Sequence, residues 1–100
     1  MPRTVKLAAI QTALGEDMDA NIARVGDLVR EAAGQGAQII LPSELFQGWY
    51  FCQTQDETHF ARAYPWRTHP AVTAMAKLAE ELNVAIPVSI YEKAGPHHYN

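Results

Sequence analysis

Among the residues of this 100-residue chain that could take part in catalysis, Glu44 has the most informative position. It lies three residues past residues 37–41, a short apolar and β-branched segment that we interpret as a strand. In an open α/β sheet, ligands bind outside the carboxyl ends of the strands. The apolar and aromatic residues that follow Glu44 would enclose its carboxylate, and such desolvation favours the proton-exchanging role of a general base. The alternative is a surface glutamate or one that caps a backbone group.

The single cysteine, Cys52, is a weaker candidate. A reactive thiolate needs a cationic neighbour or a helix N-terminus, and the sequence Trp-Tyr-Phe-Cys-Gln-Thr offers neither. A lone cysteine among aromatic residues is typical of a small, packed apolar side chain. One cysteine also excludes an intrachain disulfide and a zinc site built from several cysteines.

The four histidines do not form a metal-binding pattern. His59, His69, His97 and His98 lack the i, i+4 spacing of a helical metal site, and the last two would point to opposite faces of a strand. The Gly34-Gln-Gly36 segment precedes a strand instead of following one, so it does not fit a phosphate-binding loop. We therefore expect neither a metal nor an organic cofactor.

The composition is that of a globular chain, with 48% hydrophobic and 19% charged residues. A net charge of -3, from 11 acidic and 8 basic residues, argues against nucleic acid as a partner. The apolar runs are too short to cross a bilayer, and the N-terminus has no apolar stretch of signal-peptide length. These features predict a cytoplasmic protein that does not bind membranes.

The predicted elements alternate between strands and helices, which favours βαβ units and a mainly parallel sheet. Apolar residues at three- and four-residue spacing predict two amphipathic helices, the first capped by Asp19 or Asn21 and the second opened by His69-Pro70. Strands are expected over residues 5–12 (buried), 37–41, 84–91 and 97–100, with helices over 22–33, 56–63 and 70–82 and a tight turn over 93–96. Because the last strand has no visible partner, we expect residues 1–100 to be the N-terminal part of one longer domain.

Three segments taken together resemble the start of nitrilase-superfamily carbon–nitrogen hydrolases: residues 5–12, 39–46 and 84–90. The resemblance runs through nearly all of the chain. More specific segments, residues 43–53, 63–65, 69–70 and 98–100, are similar to members of this superfamily that act on carbamoylated amines. The resemblance implies an α/β fold, here the N-terminal part of a four-layer αββα sandwich.

The same resemblance implies that Glu44 is the glutamate of a Glu–Lys–Cys triad whose lysine and cysteine lie beyond residue 100. Neither Lys93 nor Cys52 takes those places. Tyr50 matches a residue of the substrate pocket, with simple packing as the alternative. The implied activity is hydrolysis of an amide or ureido group of a small molecule through a covalent S-acyl intermediate, without a cofactor, by a homo-oligomer.

Two alternatives stay open from the sequence. Other amidases of the superfamily (carbamoyl amino acid amidases, ω-amidases and nitrilases) differ in pocket residues that lie mostly downstream. If the natural chain ended near Asn100, the triad could not be completed, and a non-catalytic α/β binding module would be favoured.

Overall fold

The computed structural model describes residues 3–48 and 57–100, and strands and helices alternate along it as predicted. Two short parallel strands, β1 (Leu7–Ala9) and β2 (Ile39–Leu41), pair with Leu7 opposite Ile39. Two further strands, β3 (Glu92–Ala94) and β4 (His97–Tyr99), form an antiparallel hairpin. In chain order the elements are β1 (Leu7–Ala9), α1 (Met18–Gly34), β2 (Ile39–Leu41), a 3-10 helix (Glu57–Arg62), α2 (Pro70–Leu82), β3 (Glu92–Ala94) and β4 (His97–Tyr99). The α/β fold class is thus confirmed.

Helix α1 begins at Met18, four residues before the start at residue 22 that the apolar spacing predicted. Its N-cap is Asp17, whose carboxylate accepts hydrogen bonds from the backbone N–H groups of Asp19 at 3.0 Å and Ala20 at 3.3 Å. The expectation that Asp19 or Asn21 caps the helix is therefore wrong. Asp17 takes the role because its own backbone is extended, which lets its side chain fold back over the first turn.

Helix α2 has the boundaries that the sequence predicted. His69 is its N-cap, and Pro70 occupies the first helical position, where a missing N–H costs nothing. The helix ends because Asn83 adopts a left-handed conformation with φ 54° and ψ 50°. Asparagine tolerates this conformation better than most residues, so it serves as a helix stop.

The strand predicted over residues 84–91 is wrong for most of its length. Within this segment Ala85 alone pairs with β2: its N–H donates to the carbonyl of Gln38 and its carbonyl accepts from the N–H of Ile40. The next ladder bond would require an N–H from Pro87, which has none. Strand β3 (Glu92–Ala94) begins only after this segment, and it overlaps residues 93–96, which were expected to form a turn.

The hydrophobic core lies between the two helices and one face of the parallel strands, with Val25, Val29, Ile40 and Met75 at its centre. The opposite face of the strands is exposed, as Leu7 (69% exposed) and Leu41 (51%) show. The expectation of a strand buried on both faces over residues 5–12 is therefore wrong here, because the helices cover one face only. None of the helices in the described residues is long and apolar enough to span a membrane.

Candidate active site

The segment that carries Glu44 leaves β2 at the edge of the sheet where β1 also ends. The backbone N–H of Ile10, just past β1, donates to the carbonyl of Leu41 at 2.8 Å, and the hydroxyl of Ser43 donates back to the carbonyl of Ile10 at 3.1 Å. These two bonds hold the strand ends together. Glu44 therefore lies at the carboxyl edge of the parallel strands, the edge at which α/β sheets bind ligands.

The backbone turns sharply immediately after Glu44. Leu45 has φ 51°, a left-handed conformation that costs a leucine about 1–2 kcal/mol. Its side chain is nevertheless buried, with 1% of its surface exposed, and Phe46 beside it belongs to the core. The strained turn thus sends two apolar side chains inward while the side chain of Glu44 stays exposed.

The exposure of Glu44 corrects one expectation from the sequence. An apolar enclosure was expected for its carboxylate, but Leu45 and Phe46 pack into the core instead of around it. The aromatic residues expected to complete that enclosure, and the predictions for Tyr50 and Cys52, lie outside the described residues.

The carboxylate of Glu44 has a partner from the other end of the chain. The side-chain amide of Asn100 donates through Nδ2 to Oε1 of Glu44 at 2.5 Å. The hydroxyl of Ser89 in turn donates to Oδ1 of Asn100 at 3.1 Å. Oε2 of Glu44 makes no hydrogen bond with any described residue.

A buried polar network holds the far side of the same loop. The side-chain amide of Asn21 donates through Nδ2 to the carbonyls of Gly15 at 2.8 Å and Gln47 at 3.0 Å, and its Oδ1 accepts from the N–H of Gly15 at 2.9 Å. All three groups of this amide side chain are thereby satisfied within the protein, as burial requires. Helix α1 is thus tied to the loop three residues beyond Glu44.

Gln47 continues the network toward helix α2. Its Nε2 donates to the carbonyl of Arg62 at 2.7 Å, and its Oε1 lies 2.9 Å from Nε2 of His69. Since Nδ1 of His69 accepts from the N–H of Ala71 at 3.1 Å, the ring proton is on Nε2 and is donated to Gln47. Burial lowers the pKa of His69, in keeping with a neutral ring.

Sequence reasoning missed this network, although one signal was present. Asn21 lies four residues before Val25 and eight before Val29, so a polar residue occupies the apolar face of α1. His69 was expected only to open a helix, and Gln47 was not singled out. Polar residues at buried, helix-facing positions are the signal that such networks leave in a sequence.

The histidines are distributed among different contacts. His98 stacks on Phe60 with ring centroids 4.6 Å apart, and Nδ1 of His59 accepts from Nε of Arg62 at 3.3 Å. In the described part of the chain no three or more His, Cys, Asp or Glu side chains are grouped so that they could hold a metal ion. His98 and Asn100 are two residues apart, so they share a face of the final strand and its extension.

Comparison with known proteins places this geometry in context. Residues 6–100 match the carbon-nitrogen hydrolase family. The chain is 50% identical over 98 residues to the N-carbamoylputrescine amidases of Arabidopsis thaliana and Solanum tuberosum, covering 98% of this chain and 33% of each relative. It is 32% identical over 96 residues to a citrullinase of Francisella tularensis, covering 96% of this chain and 34% of that protein.

The fold has a counterpart among solved structures. The chain superposes on a carbon-nitrogen hydrolase from Helicobacter pylori G27 with a TM-score of 0.85 and 20% sequence identity, covering 96% of this chain and 33% of that one. The chain therefore spans about a third of the length of the relatives it matches.

Proposed function

Because the chain belongs to the carbon–nitrogen hydrolase family, we propose that it forms the N-terminal part of a domain that hydrolyses N-carbamoylputrescine to putrescine, ammonia and carbon dioxide. The observation that carries this proposal is the 50% identity to N-carbamoylputrescine amidases across 98% of the chain. The lower identity to the citrullinase, 32%, favours this substrate over that alternative. Its product, putrescine, would place the enzyme in polyamine biosynthesis.

In the proposed reaction Glu44 is the general base. Its carboxylate takes the proton of a cysteine thiol supplied by a later part of the enzyme, and the thiolate attacks the ureido carbonyl carbon to form a C–S bond. A lysine, also from the later part, and a backbone N–H would stabilise the resulting oxyanion. Ammonia leaves as the C–N bond breaks, taking the proton that Glu44 holds.

The second half of the reaction reuses the same carboxylate. Glu44 takes a proton from a water molecule, and the oxygen of that water attacks the carbonyl carbon of the S-carbamoyl intermediate. Breaking of the C–S bond returns the thiolate, which regains the proton from Glu44. The carbamate of putrescine released in this step decomposes to putrescine and carbon dioxide.

Three features of the described residues support this role for Glu44. The residue lies at the carboxyl edge of the parallel strands, its side chain is exposed to an incoming group, and one carboxylate oxygen is held while the other is open. We propose in addition that Tyr50, by its sequence position, contacts the substrate and that Cys52 is not the nucleophile.

The test is ammonia release by the full-length enzyme from N-carbamoylputrescine, compared with N-carbamoyl-β-alanine, citrulline and a simple amide. We expect kcat/KM for N-carbamoylputrescine to exceed that for each of the others by at least roughly 10²-fold. The Cys52→Ser variant should keep this activity. A preference for any comparison substrate would contradict the proposed substrate, and loss of activity in Cys52→Ser would contradict the assignment of the nucleophile to another cysteine.

A further inference from the structure

The hydrogen bond from Asn100 to Glu44 joins two parts of the chain that are 56 residues apart in sequence. Glu44 follows β2, whereas Asn100 follows β4 at the end of the hairpin. Ser89, which donates to Asn100, lies in the segment between the Ala85 pairing and β3. Three separate segments are thus joined by two consecutive hydrogen bonds, from Ser89 to Asn100 and from Asn100 to Glu44.

The chemistry of the three groups sets the direction of every bond. An ionised carboxylate only accepts, so Asn100 must present its NH₂ group to Glu44. The amide oxygen of Asn100 then faces Ser89, whose hydroxyl must donate. The carboxylate of Glu44 thus sets which way the amide of Asn100 faces, and the bond from Ser89 holds Asn100 in place beside Glu44.

We infer that Asn100 is a positioning residue for the proposed base and that Ser89 holds Asn100 in place, which rests on the role proposed for Glu44. An exposed glutamate has three rotatable side-chain bonds, and a base must lie within hydrogen-bond reach of the proton it takes. The bond from Asn100 holds Oε1 and leaves Oε2 without a hydrogen bond to any described residue. Because asparagine is neutral, it restrains the carboxylate without neutralising it.

Asn100→Asp and Asn100→Ala in the full-length enzyme provide the first test. Aspartate has nearly the size of asparagine but replaces the donor by a negative acceptor, so it repels the Glu44 carboxylate at neutral pH. We expect kcat to fall roughly 10- to 100-fold in Asn100→Ala and further in Asn100→Asp, with KM changed less than about threefold. If Asn100 did not position Glu44, Asn100→Ala would keep the kcat of the wild-type enzyme.

Ser89→Ala provides the second test because it leaves the Asn100–Glu44 pair in place. We expect a loss in kcat of about two- to fivefold in the wild-type background and none in the Asn100→Ala background, since residues that act through one another are not additive. Thr73→Ala, on the exposed face of α2, is the control that should leave kcat unchanged. An equal loss of kcat from Ser89→Ala in both backgrounds would show that Ser89 does not act through Asn100.

The two proposals fail in different ways. Wild-type turnover that is abolished in Glu44→Gln but unchanged in both Asn100 variants would overturn the positioning role alone. Absence of amidase activity in the wild-type enzyme, or full activity in Glu44→Gln, would overturn the proposed function and the positioning role with it.

Discussion

The Nε2 atom of His69 lies 2.9 Å from Oε1 of Gln47, and both side chains are buried. His69 caps helix α2, whereas Gln47 belongs to the loop that begins with Glu44. The hydrogen bond of this pair therefore connects the candidate active-site loop to the N-terminus of helix α2, which packs in the core. Every polar atom of this pair that is shielded from solvent has a partner, which is the condition under which buried polar groups stabilise a protein.

Gln47→Leu replaces the amide side chain of this pair by an apolar one of similar size. The substitution removes the hydrogen bonds that Gln47 makes with the buried Nε2–H of His69 and with the carbonyl of Arg62, so we expect the free energy of unfolding to fall by about 2–4 kcal/mol. Denaturant unfolding of the full-length enzyme measures the loss. Gln11→Leu, at an exposed glutamine, is the matched control and should change stability by less than about 0.5 kcal/mol. Similar losses in both variants would show that the network carries no special stability.

His69 should make stability depend on pH. Burial lowers its pKa in the folded protein below the ordinary histidine value of 6.5, so between the two pKa values the unfolded chain binds the extra proton. The contribution of His69 to stability is therefore fully present above about pH 6.5 and is lost as the pH falls toward the folded pKa. Protonation would also end acceptance of the Ala71 N–H by Nδ1.

The comparison that isolates this effect uses His69→Gln, which cannot titrate. We expect this variant to be less stable at pH 7.5 but to lose less stability than the wild-type enzyme between pH 7.5 and 5.5, as measured by thermal unfolding at each pH. His97→Gln, at an exposed histidine, should keep the wild-type pH dependence. Parallel curves for the wild-type enzyme and His69→Gln would contradict a role for His69.

Glu44→Gln should separate folding from catalysis. The amide keeps the shape of the side chain but cannot take a proton, so we expect kcat to fall roughly 10²- to 10⁴-fold while the unfolding temperature stays close to that of the wild-type enzyme. Ammonia release and thermal unfolding are measured on the same preparations. Glu80→Gln, on an exposed turn of α2, is the control for the loss of one negative charge. Near-normal turnover in Glu44→Gln would remove this residue from the mechanism.

Leu45 permits a test of backbone strain beside the candidate base. Leu45→Ala should cost about 2–5 kcal/mol of unfolding free energy, because a buried side chain is lost while φ stays at 51°. Glycine adopts this conformation freely, so Leu45→Gly should be no less stable than Leu45→Ala. At Leu28, within helix α1, glycine should instead be about 1 kcal/mol worse than alanine. The same penalty for glycine at both positions would argue against strain at Leu45.

The ends of helix α2 show what local sequence signals can predict. The extent of α2 follows from Pro70 at its first position and Asn83 beyond its last, because these residues act on the backbone within one turn of themselves. The location of Glu44 at the edge of the sheet was likewise predictable, since it depends on the residue count after a strand. Pro87 shows the limit: the apolar run around it resembles a strand, yet its missing N–H ends the ladder after Ala85.

The sequence alone thus determined the alternation of strands and helices, the ends of α2 and the place of Glu44 beyond β2, because propensity, capping and periodicity act over a few neighbouring residues. Only the tertiary structure decided which groups hold the loop around Glu44. The His69–Gln47 and Asn100–Glu44 bonds join residues 22 and 56 positions apart, and such bonds form only after packing of the helices and strands has brought the segments together. The type of a residue determines which hydrogen bonds its side chain can donate or accept, but the fold determines which partner lies within reach.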